Sequence, residues 1–276
     1  MDDRFSSWEK SMVVILPVSY DLTASYKPGA SLGPKAIIDA SRYMETYDDE
    51  TNKEIYKIGI HTLEEIKAID PCPEKVIERV EKEVSCILKA GKFPVMIGGE
   101  HSITTGAIKA FKKSFKDFSV LQLDAHRDLR DSFQGSKNSH ASVAKRIIEL
   151  TSLTQVGIRS LSKEEAKKEY KNLKTFFMKD MVNNERWIDE AIDSLDSKKI
   201  YVTIDLDVLD PSIMPSVGTP EPGGMSWYEV LSLLRALTEK KEVMGFDVVE
   251  LAPILGNIAP DFLAAKLIYK FLNYIF

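Results

Sequence analysis

Short, continuous apolar runs alternate with amphipathic stretches along the whole chain, and this alternation restricts the fold to few classes. Most of the runs lack the polar/apolar alternation of a half-exposed strand, which is typical of strands buried on both faces of a parallel sheet. The pattern predicts a three-layer α/β/α sandwich around a mainly parallel sheet of about eight strands, with ligands at the carboxyl ends of the strands. The predicted strands are Val13–Pro17, Ile55–Ile60, Phe93–Ile97, Phe118–Leu123, Leu153–Arg159, Thr175–Met178, Ile200–Asp205 and Val243–Val249.

The helical stretches carry recognisable start and stop signals. Pro73–Ala90 begins with a proline and stops at Gly91, and capping-box spacing occurs at Ser162–Glu165 and Ser226–Glu229. No low-complexity segment, internal repeat or Pro/Gly/Ser-rich linker interrupts the pattern. We therefore expect residues 1–276 to form a single domain.

The composition narrows the possible partners and the compartment. The net charge of -5 argues against nucleic acid as a partner, because its phosphate backbone is also negatively charged. Cys72 and Cys86 are too few for a disulfide framework, which favours a reducing compartment. Neither a signal pattern at the N-terminus nor an apolar run long enough to span a membrane is present, so we expect a cytoplasmic protein with no membrane partner.

Histidines and aspartates follow several of the predicted strands. The strand that ends at Leu123 opens into a loop whose extended geometry can place Asp124, His126 and Asp128 on one side. In the same way Asp205 and Asp207 share a face at the end of a later strand, and His101 follows a strand and a Gly-Gly pair. Six candidate metal ligands can therefore converge at one edge of the sheet.

This mixture of donors indicates the type of metal and the type of reaction. Neutral imidazoles combined with carboxylates suit borderline divalent metals such as Mn, Fe, Co, Ni or Zn. Six ligands exceed the needs of one tetrahedral ion and suggest two ions about 3.5–4 Å apart that share a water and lower its pKa, as in hydrolysis. His140 is left over as a proton carrier, and Glu250, at the end of another strand, would suit a guanidinium group.

Three motifs in this order resemble those of the ureohydrolase family, whose members include arginase and agmatinase. They are Gly98-Gly99-Glu100-His101-Ser102, Asp124-Ala125-His126-Arg127-Asp128, and Asp205-Leu206-Asp207 before Asp210-Pro211. The resemblance covers nearly the whole chain. It implies a single ureohydrolase catalytic domain with the arginase/deacetylase-like sandwich, a small guanidino substrate, and a homo-oligomer, either a trimer or a hexamer.

The resemblance also implies residue roles. One manganese ion would be bound by His101, Asp124, Asp128 and Asp205, and a second by Asp124, His126, Asp205 and Asp207. It further implies that His140 handles protons, that Glu250 grips the guanidinium group, and that the segment Gly218–Gly224 lines the pocket. Thr219, Arg130 and Ser139 are the expected substrate-pocket residues.

Departures from the arginase pattern point to the substrate. Glu100, Thr203 and Ala141 replace residues usual in the family without removing a ligand. Arg130 and Ser162 stand where arginases carry the Asn and Asp that hold the amino-acid head group. The segment Tyr20–Ala30, Ser139-His140 and the segment Gly218–Gly224 look like those of agmatinases. The sequence therefore predicts hydrolysis of agmatine to putrescine and urea.

Other functions stay open at this point. An arginase, a guanidinobutyrase or another guanidino-acid amidinohydrolase would use the same centre on a different tail. A non-catalytic metal-binding protein would keep the ligands, but the presence of both His140 and Glu250 speaks against it. A zinc-dependent deacetylase shares the general architecture and uses a different ligand set with a single zinc.

Overall fold

Nine strands lie within residues 3–67 and 72–276, the part of the chain that the computed structural model describes. They are β1 (Val13–Ser19), β2 (Ile60–Thr62), β3 (Ile66–Lys67), β4 (Phe93–Gly98), β5 (Ser119–Leu123), β6 (Ser152–Ile158), β7 (Leu173–Phe177), β8 (Lys199–Asp205) and β9 (Glu242–Val249). Their order in the sheet is β2-β1-β4-β9-β8-β5-β6-β7, with β3 also paired to β1. Every pairing between these strands is parallel.

Helices connect the strands and cover both faces of the sheet. In the described ranges they are α1 (Gly33–Ser41), α2 (Pro73–Lys89), α3 (Thr104–Ser114), α4 (Val143–Ile148), α5 (Lys163–Ala166), α6 (Met178–Met181), α7 (Trp187–Asp193), α8 (Trp227–Lys240) and α9 (Ala259–Ile275). The two expected capping boxes are present, at the starts of α5 and α8. None of these helices combines the length and the apolar character that crossing a bilayer would require.

Alternate side chains of the central strands enter two separate cores. Val95 and Ile97 of β4 pack with residues of α1, α7, α8 and α9, whereas Met96 packs with residues of α2, α3 and α4. Successive side chains of a strand point to opposite faces of a sheet, so a strand buried on both faces is apolar throughout. This arrangement is the three-layer α/β/α sandwich that the continuous apolar runs predict.

The strand order brings the sequence motifs together. Strands β4, β9, β8 and β5 are neighbours at the centre of the sheet, and because they are parallel their carboxyl ends lie at one edge. His101, Glu250 and Asp124 lie in the segments that follow β4, β9 and β5 at this edge, and Asp205 is the last residue of β8. Motifs separated by more than a hundred residues in sequence therefore become adjacent in space.

Gly99 joins three strand ends at this edge. Its N–H donates to Val18 O at 2.8 Å, and its carbonyl accepts the N–H of Glu250 at 2.8 Å. A Cβ atom at this position would overlap the backbone of Tyr20, so the close approach excludes any side chain. The Gly-Gly pair thus provides space rather than an unusual backbone angle, since neither glycine has a positive φ.

One local prediction is wrong. The run Ile55–Ile60 was expected to be one strand, but Ile55–Ile58 forms a 3-10 helix and Gly59, with φ of 83°, ends it before β2. Ile55 and Ile58 are three residues apart and share one face of such a helix. An apolar run of this length is therefore compatible with a 3-10 helix as well as with a strand. The short strand β3, which pairs with β1, is a ninth strand in addition to the eight that the sequence predicts, in agreement with a sheet of about eight strands.

We predict that Gly99→Ala lowers the free energy of unfolding by about 3 kcal/mol or more, because backbone rather than a flexible side chain blocks the new methyl group. Gly91→Ala is the matched control: Gly91 has φ of 67° and open space around the new Cβ, so only the conformational cost of about 1–2 kcal/mol applies. Urea-induced unfolding of both variants measures the difference. Equal losses in the two variants would contradict the steric role of Gly99.

Candidate metal centre and active site

His101 lies at the centre of a group of carboxylates. Its Nδ1 is 3.1 Å from Asp124 Oδ2, 3.2 Å from Asp205 Oδ2 and 3.6 Å from Asp128 Oδ2. Although it is buried, Nδ1 makes no hydrogen bond of good geometry. One donor atom from each of His101, Asp124 and Asp205 can lie within 4.8 Å of the others, so these residues could hold a metal ion.

A second group surrounds His126 and shares Asp124 with the first. His126 Nδ1 is 2.7 Å from Asp207 Oδ2 and 3.7 Å from Asp124 Oδ1. Asp124, His126 and Asp207 also meet the 4.8 Å condition for a metal site. The structure therefore brings five of the six predicted ligands together in two overlapping groups. The sixth, Asp128, lies beside the first group, with its Oδ2 3.6 Å from His101 Nδ1.

The electrostatics of these groups favour a bound cation. Burial, followed by the charge of neighbouring carboxylates, raises the pKa of Asp124, Asp128 and Asp205 above the usual range. Cationic partners in the position of metal ions would offset both effects and keep the carboxylates charged. The unpaired Nδ1 of His101 and this mixture of nitrogen and oxygen donors fit a borderline divalent metal ion, a class that includes manganese.

Two residues of the site have left-handed backbone conformations. Asp128 has φ of 50° and Glu250 has φ of 69°. Side chains other than glycine rarely adopt these angles, and such strain concentrates at functional sites. The loops at the ends of β5 and β9 are thus held in conformations that aim these two carboxylates inward.

A chain of hydrogen bonds fixes the orientation of His101 through its Nε2 atom. Its Nε2 is 2.9 Å from Thr203 Oγ1, which donates to Asp247 Oδ1 at 2.6 Å. Asp247 is fully buried and also accepts hydrogen bonds from Tyr201 Oη and Thr104 Oγ1. Because the Thr203 hydroxyl hydrogen goes to Asp247, Nε2 of His101 carries a hydrogen and Nδ1 keeps its lone pair for the carboxylate side.

Glu250 and His140 face the same cavity as the two groups. The cavity has a volume of about 310 Å³ and both side chains line it. Glu250 Oε1 accepts the N–H of His101 at 2.6 Å, and no Lys or Arg nitrogen of residues 3–67 and 72–276 is within 4 Å of this carboxylate. Burial raises the pKa of Glu250 to about 8, as expected for a carboxylate without a cationic partner.

The expected substrate-pocket residues differ in their positions. Thr219 and Arg130 line the cavity, and the Arg130 guanidinium lies 4.7 Å from the centre of the Phe133 ring. Ser139 does not reach the wall: it is buried, and its hydroxyl lies 3.0 Å from that of Ser142 in the following 3-10 helix. Of the segment Gly218–Gly224, only the first two residues reach the cavity.

Glu221 accepts the hydroxyl of Ser160 and lies 3.9 Å from His126 Nε2, whereas the last two residues of the segment bind Asp210. Asp210 Oδ2 accepts the N–H groups of Gly223 and Gly224 at 2.9 and 3.0 Å. These bonds make Asp210 a structural anchor of the loop.

Several site residues are absent from the sequence-based prediction. The cavity wall also includes Tyr26, Lys27, Phe133 and Glu165. Tyr26 and Lys27 belong to the segment Tyr20–Ala30, so its resemblance to agmatinases and its place after β1 were the available signals. Asp247 was marked only by its charge within an otherwise apolar strand.

Comparison with known proteins agrees with this geometry. The model of the arginase family matches residues 11–273. The N(1)-aminopropylagmatine ureohydrolase of Synechocystis sp. is 40% identical over 99% of this chain and 92% of its own length, and the agmatinase of Bacillus anthracis is 36% identical over 91% and 87%. The crystal structure of agmatine ureohydrolase of Thermoplasma volcanium superposes with a TM-score of 0.89 at 34% identity, covering 99% of this chain and 93% of that one.

We predict that Asp247→Asn weakens the binding of manganese by about 10- to 100-fold, because the negative charge behind His101 is lost while the side-chain shape is kept. Tyr201→Phe is the control, since it removes a hydrogen bond to the same carboxylate but leaves the chain to His101 intact. Calorimetric titration of metal-free protein with Mn²⁺ measures both affinities. Equal affinities for the Asp247→Asn variant and the wild type would show that the chain does not support the metal site.

Proposed function

Since this chain belongs to the arginase family, we propose that it hydrolyses a guanidino compound to urea and an amine, with agmatine as the substrate and putrescine as the second product. The observation that carries the proposal is the position of Glu250, a carboxylate without a cationic partner among the described residues. It lies in the wall of a cavity that is also lined by residues of both candidate metal groups. A planar guanidinium is the cation that pairs best with a carboxylate, through two parallel hydrogen bonds.

Glu250 is the residue that we propose to orient the substrate. Its Oε1 is held by the N–H of His101, and its backbone conformation keeps the carboxylate facing the cavity. A guanidinium bound there has its central carbon toward the carboxylates of Asp124, Asp128, Asp205 and Asp207. The two manganese ions that we propose for these residues act, when bound, as Lewis acids that lower the pKa of water.

His140 is the residue that we propose to carry the proton. Burial, aided by the positive charge near His126 and His101, lowers the pKa of His140 to about 4, so the ring is neutral at pH 7. A neutral imidazole can accept a proton as water adds to the guanidinium carbon. It can then return that proton to the departing amine as the carbon–nitrogen bond breaks.

The surroundings of the cavity support an amine tail over an amino-acid tail. Ser162 caps α5, and its hydroxyl oxygen accepts the N–H of Glu165. Both oxygens of Glu165 accept backbone N–H groups, from Leu129 at 2.9 Å and from Ser162 at 2.8 Å. Arg130 is engaged by the Phe133 ring and lies 3.9 Å from Glu165. An α-amino acid head group would therefore lose water without gaining a full set of partners.

A second candidate is N1-aminopropylagmatine, which has the same guanidinium end and a longer amine tail without a carboxylate. The Synechocystis sp. relative, at 40% identity, carries the name of this activity. Both candidates use Glu250 in the same way, so they differ only in what the outer part of the cavity must accept.

We predict a kcat/KM for agmatine at least about tenfold above that for arginine, because each unpaired polar group of arginine would cost about 1–3 kcal/mol. Urea release with added Mn²⁺ is measured for agmatine, N1-aminopropylagmatine, arginine and 4-guanidinobutyrate. Arg130→Ala should leave agmatine turnover within about threefold of the wild type.

Three results distinguish the alternatives. Preference for arginine or 4-guanidinobutyrate that disappears in Arg130→Ala would contradict the proposal and make Arg130 a carboxylate-binding residue. A kcat/KM for N1-aminopropylagmatine about tenfold above that for agmatine would establish the longer amine as the substrate. No urea from any of these compounds would reject the ureohydrolase proposal for this chain.

A further inference from the structure

The ring of His140 is linked to a buried carboxylate through a threonine hydroxyl. Thr23 Oγ1 lies 3.2 Å from His140 Nδ1 and 2.5 Å from Glu100 Oε1. Glu100 is 1% exposed, and its Oε2 accepts the backbone N–H of Thr23 at 2.6 Å. The three residues come from the loops after β1, β4 and β5, so the link joins three strand ends.

Burial raises the pKa of Glu100, while the hydrogen bonds from Ser102 and Thr23 favour its charged form; with Glu100 ionised, the donors and acceptors of this link allow one arrangement of hydrogens. Three donors converge on Glu100: the N–H and the hydroxyl of Thr23, and the hydroxyl of Ser102. An ionised carboxylate can only accept, so it suits these three donors. The Thr23 hydroxyl hydrogen is donated to Glu100 and is therefore not available to His140. The Thr23 oxygen can then only accept, which it does from the backbone N–H of His140 at 3.2 Å and from His140 Nδ1.

The consequence concerns the tautomer of His140. If Thr23 can only accept, Nδ1 of His140 must carry a hydrogen, and the lone pair of the neutral ring resides on Nε2. Phe133 packs edge-to-face on the ring, with 5.6 Å between the ring centres and an angle of 83° between the planes, and this contact limits rotation of the imidazole. His140 lines the cavity, so Nε2 is the ring nitrogen that is available to exchange a proton with a bound substrate.

We propose that Thr23 and Glu100 are positioning residues that hold His140 in the Nδ1–H tautomer, with Nε2 as the atom that accepts and returns the proton. This inference rests on the proposed function, in which His140 is the proton carrier. When Nε2 takes the proton, the ring becomes an imidazolium, and the negative charge of Glu100 acts on it through the Thr23 hydroxyl. A carboxylate that orients a catalytic histidine and stabilises its charged form has the same role in hydrolases of other folds.

The loop that carries Thr23 is held in place independently of His140. Asp21 Oδ2 accepts the N–H of Gly29 at 2.8 Å and the hydroxyl of Ser31 at 2.9 Å. The N–H of Glu100 donates to the carbonyl of Tyr20 at 2.7 Å. These bonds keep the Thr23 hydroxyl in position before substrate arrives, as a catalytic support requires.

The test compares Thr23→Val with Thr23→Ser in the manganese-loaded protein. Valine keeps the shape and the backbone N–H that bonds to Glu100 but lacks the hydroxyl, whereas serine restores it. We expect kcat for urea release from the best substrate to fall at least about tenfold in Thr23→Val, with KM and manganese content unchanged. Thr23→Ser should recover kcat to within about threefold of the wild type.

His140→Ala separates failure of this inference from failure of the proposed function. Full activity in Thr23→Val, with activity lost in His140→Ala, would overturn the positioning role and leave the proton carrier in place. Equal losses in Thr23→Val and Thr23→Ser would also overturn it, because the hydroxyl would not be the cause. Full activity in His140→Ala would instead remove His140 from the proposed mechanism.

Discussion

The mutual repulsion of four buried aspartates at the carboxyl edge of the sheet is the constraint that the rest of the site must satisfy. Asp124, Asp128, Asp205 and Asp207 lie close together at sites from which water is largely excluded, where uncompensated charges cost several kcal/mol. Two imidazoles alone do not balance four carboxylates, so divalent cations are the natural counter-charge. This requirement for a cation accounts for the orientation of His101, whose Nδ1 lone pair faces the aspartates. It is also consistent with hydrolysis, since a metal-bound water is the nucleophile that such a centre provides.

Much of the fold and the metal centre could be predicted from the sequence because both depend on local patterns. Continuous apolar runs reveal strands buried on both faces, and residues directly after such strands must lie at the same edge of a parallel sheet. All six predicted ligands satisfy this condition. The run Ile55–Ile60 failed because apolar content alone does not distinguish a short strand from a 3-10 helix. The hydroxyl of Ser139, an expected pocket residue, lies against the next helical turn instead, a local contact that the motif does not indicate.

The residues that orient His101 and His140 through hydrogen bonds could not be predicted in the same way. Asp247 and Glu100 act through Thr203 and Thr23, and each of these links joins residues from different strands or loops. Their formation depends on strand register, such as the pairing of Thr203 with Asp247 across β8 and β9, which no sequence spacing shows. The same arrangement of carboxylate, hydroxyl and imidazole thus occurs twice, behind a proposed metal ligand and behind the proposed proton carrier.

The two overlapping groups are expected to bind two metal ions that act together. Mn²⁺ is added stepwise to metal-free protein, and bound metal by elemental analysis is measured alongside urea release at each step. The account predicts saturation at two ions per chain, with most of the activity appearing only as the second ion binds. Saturation at one ion per chain with full activity would contradict it.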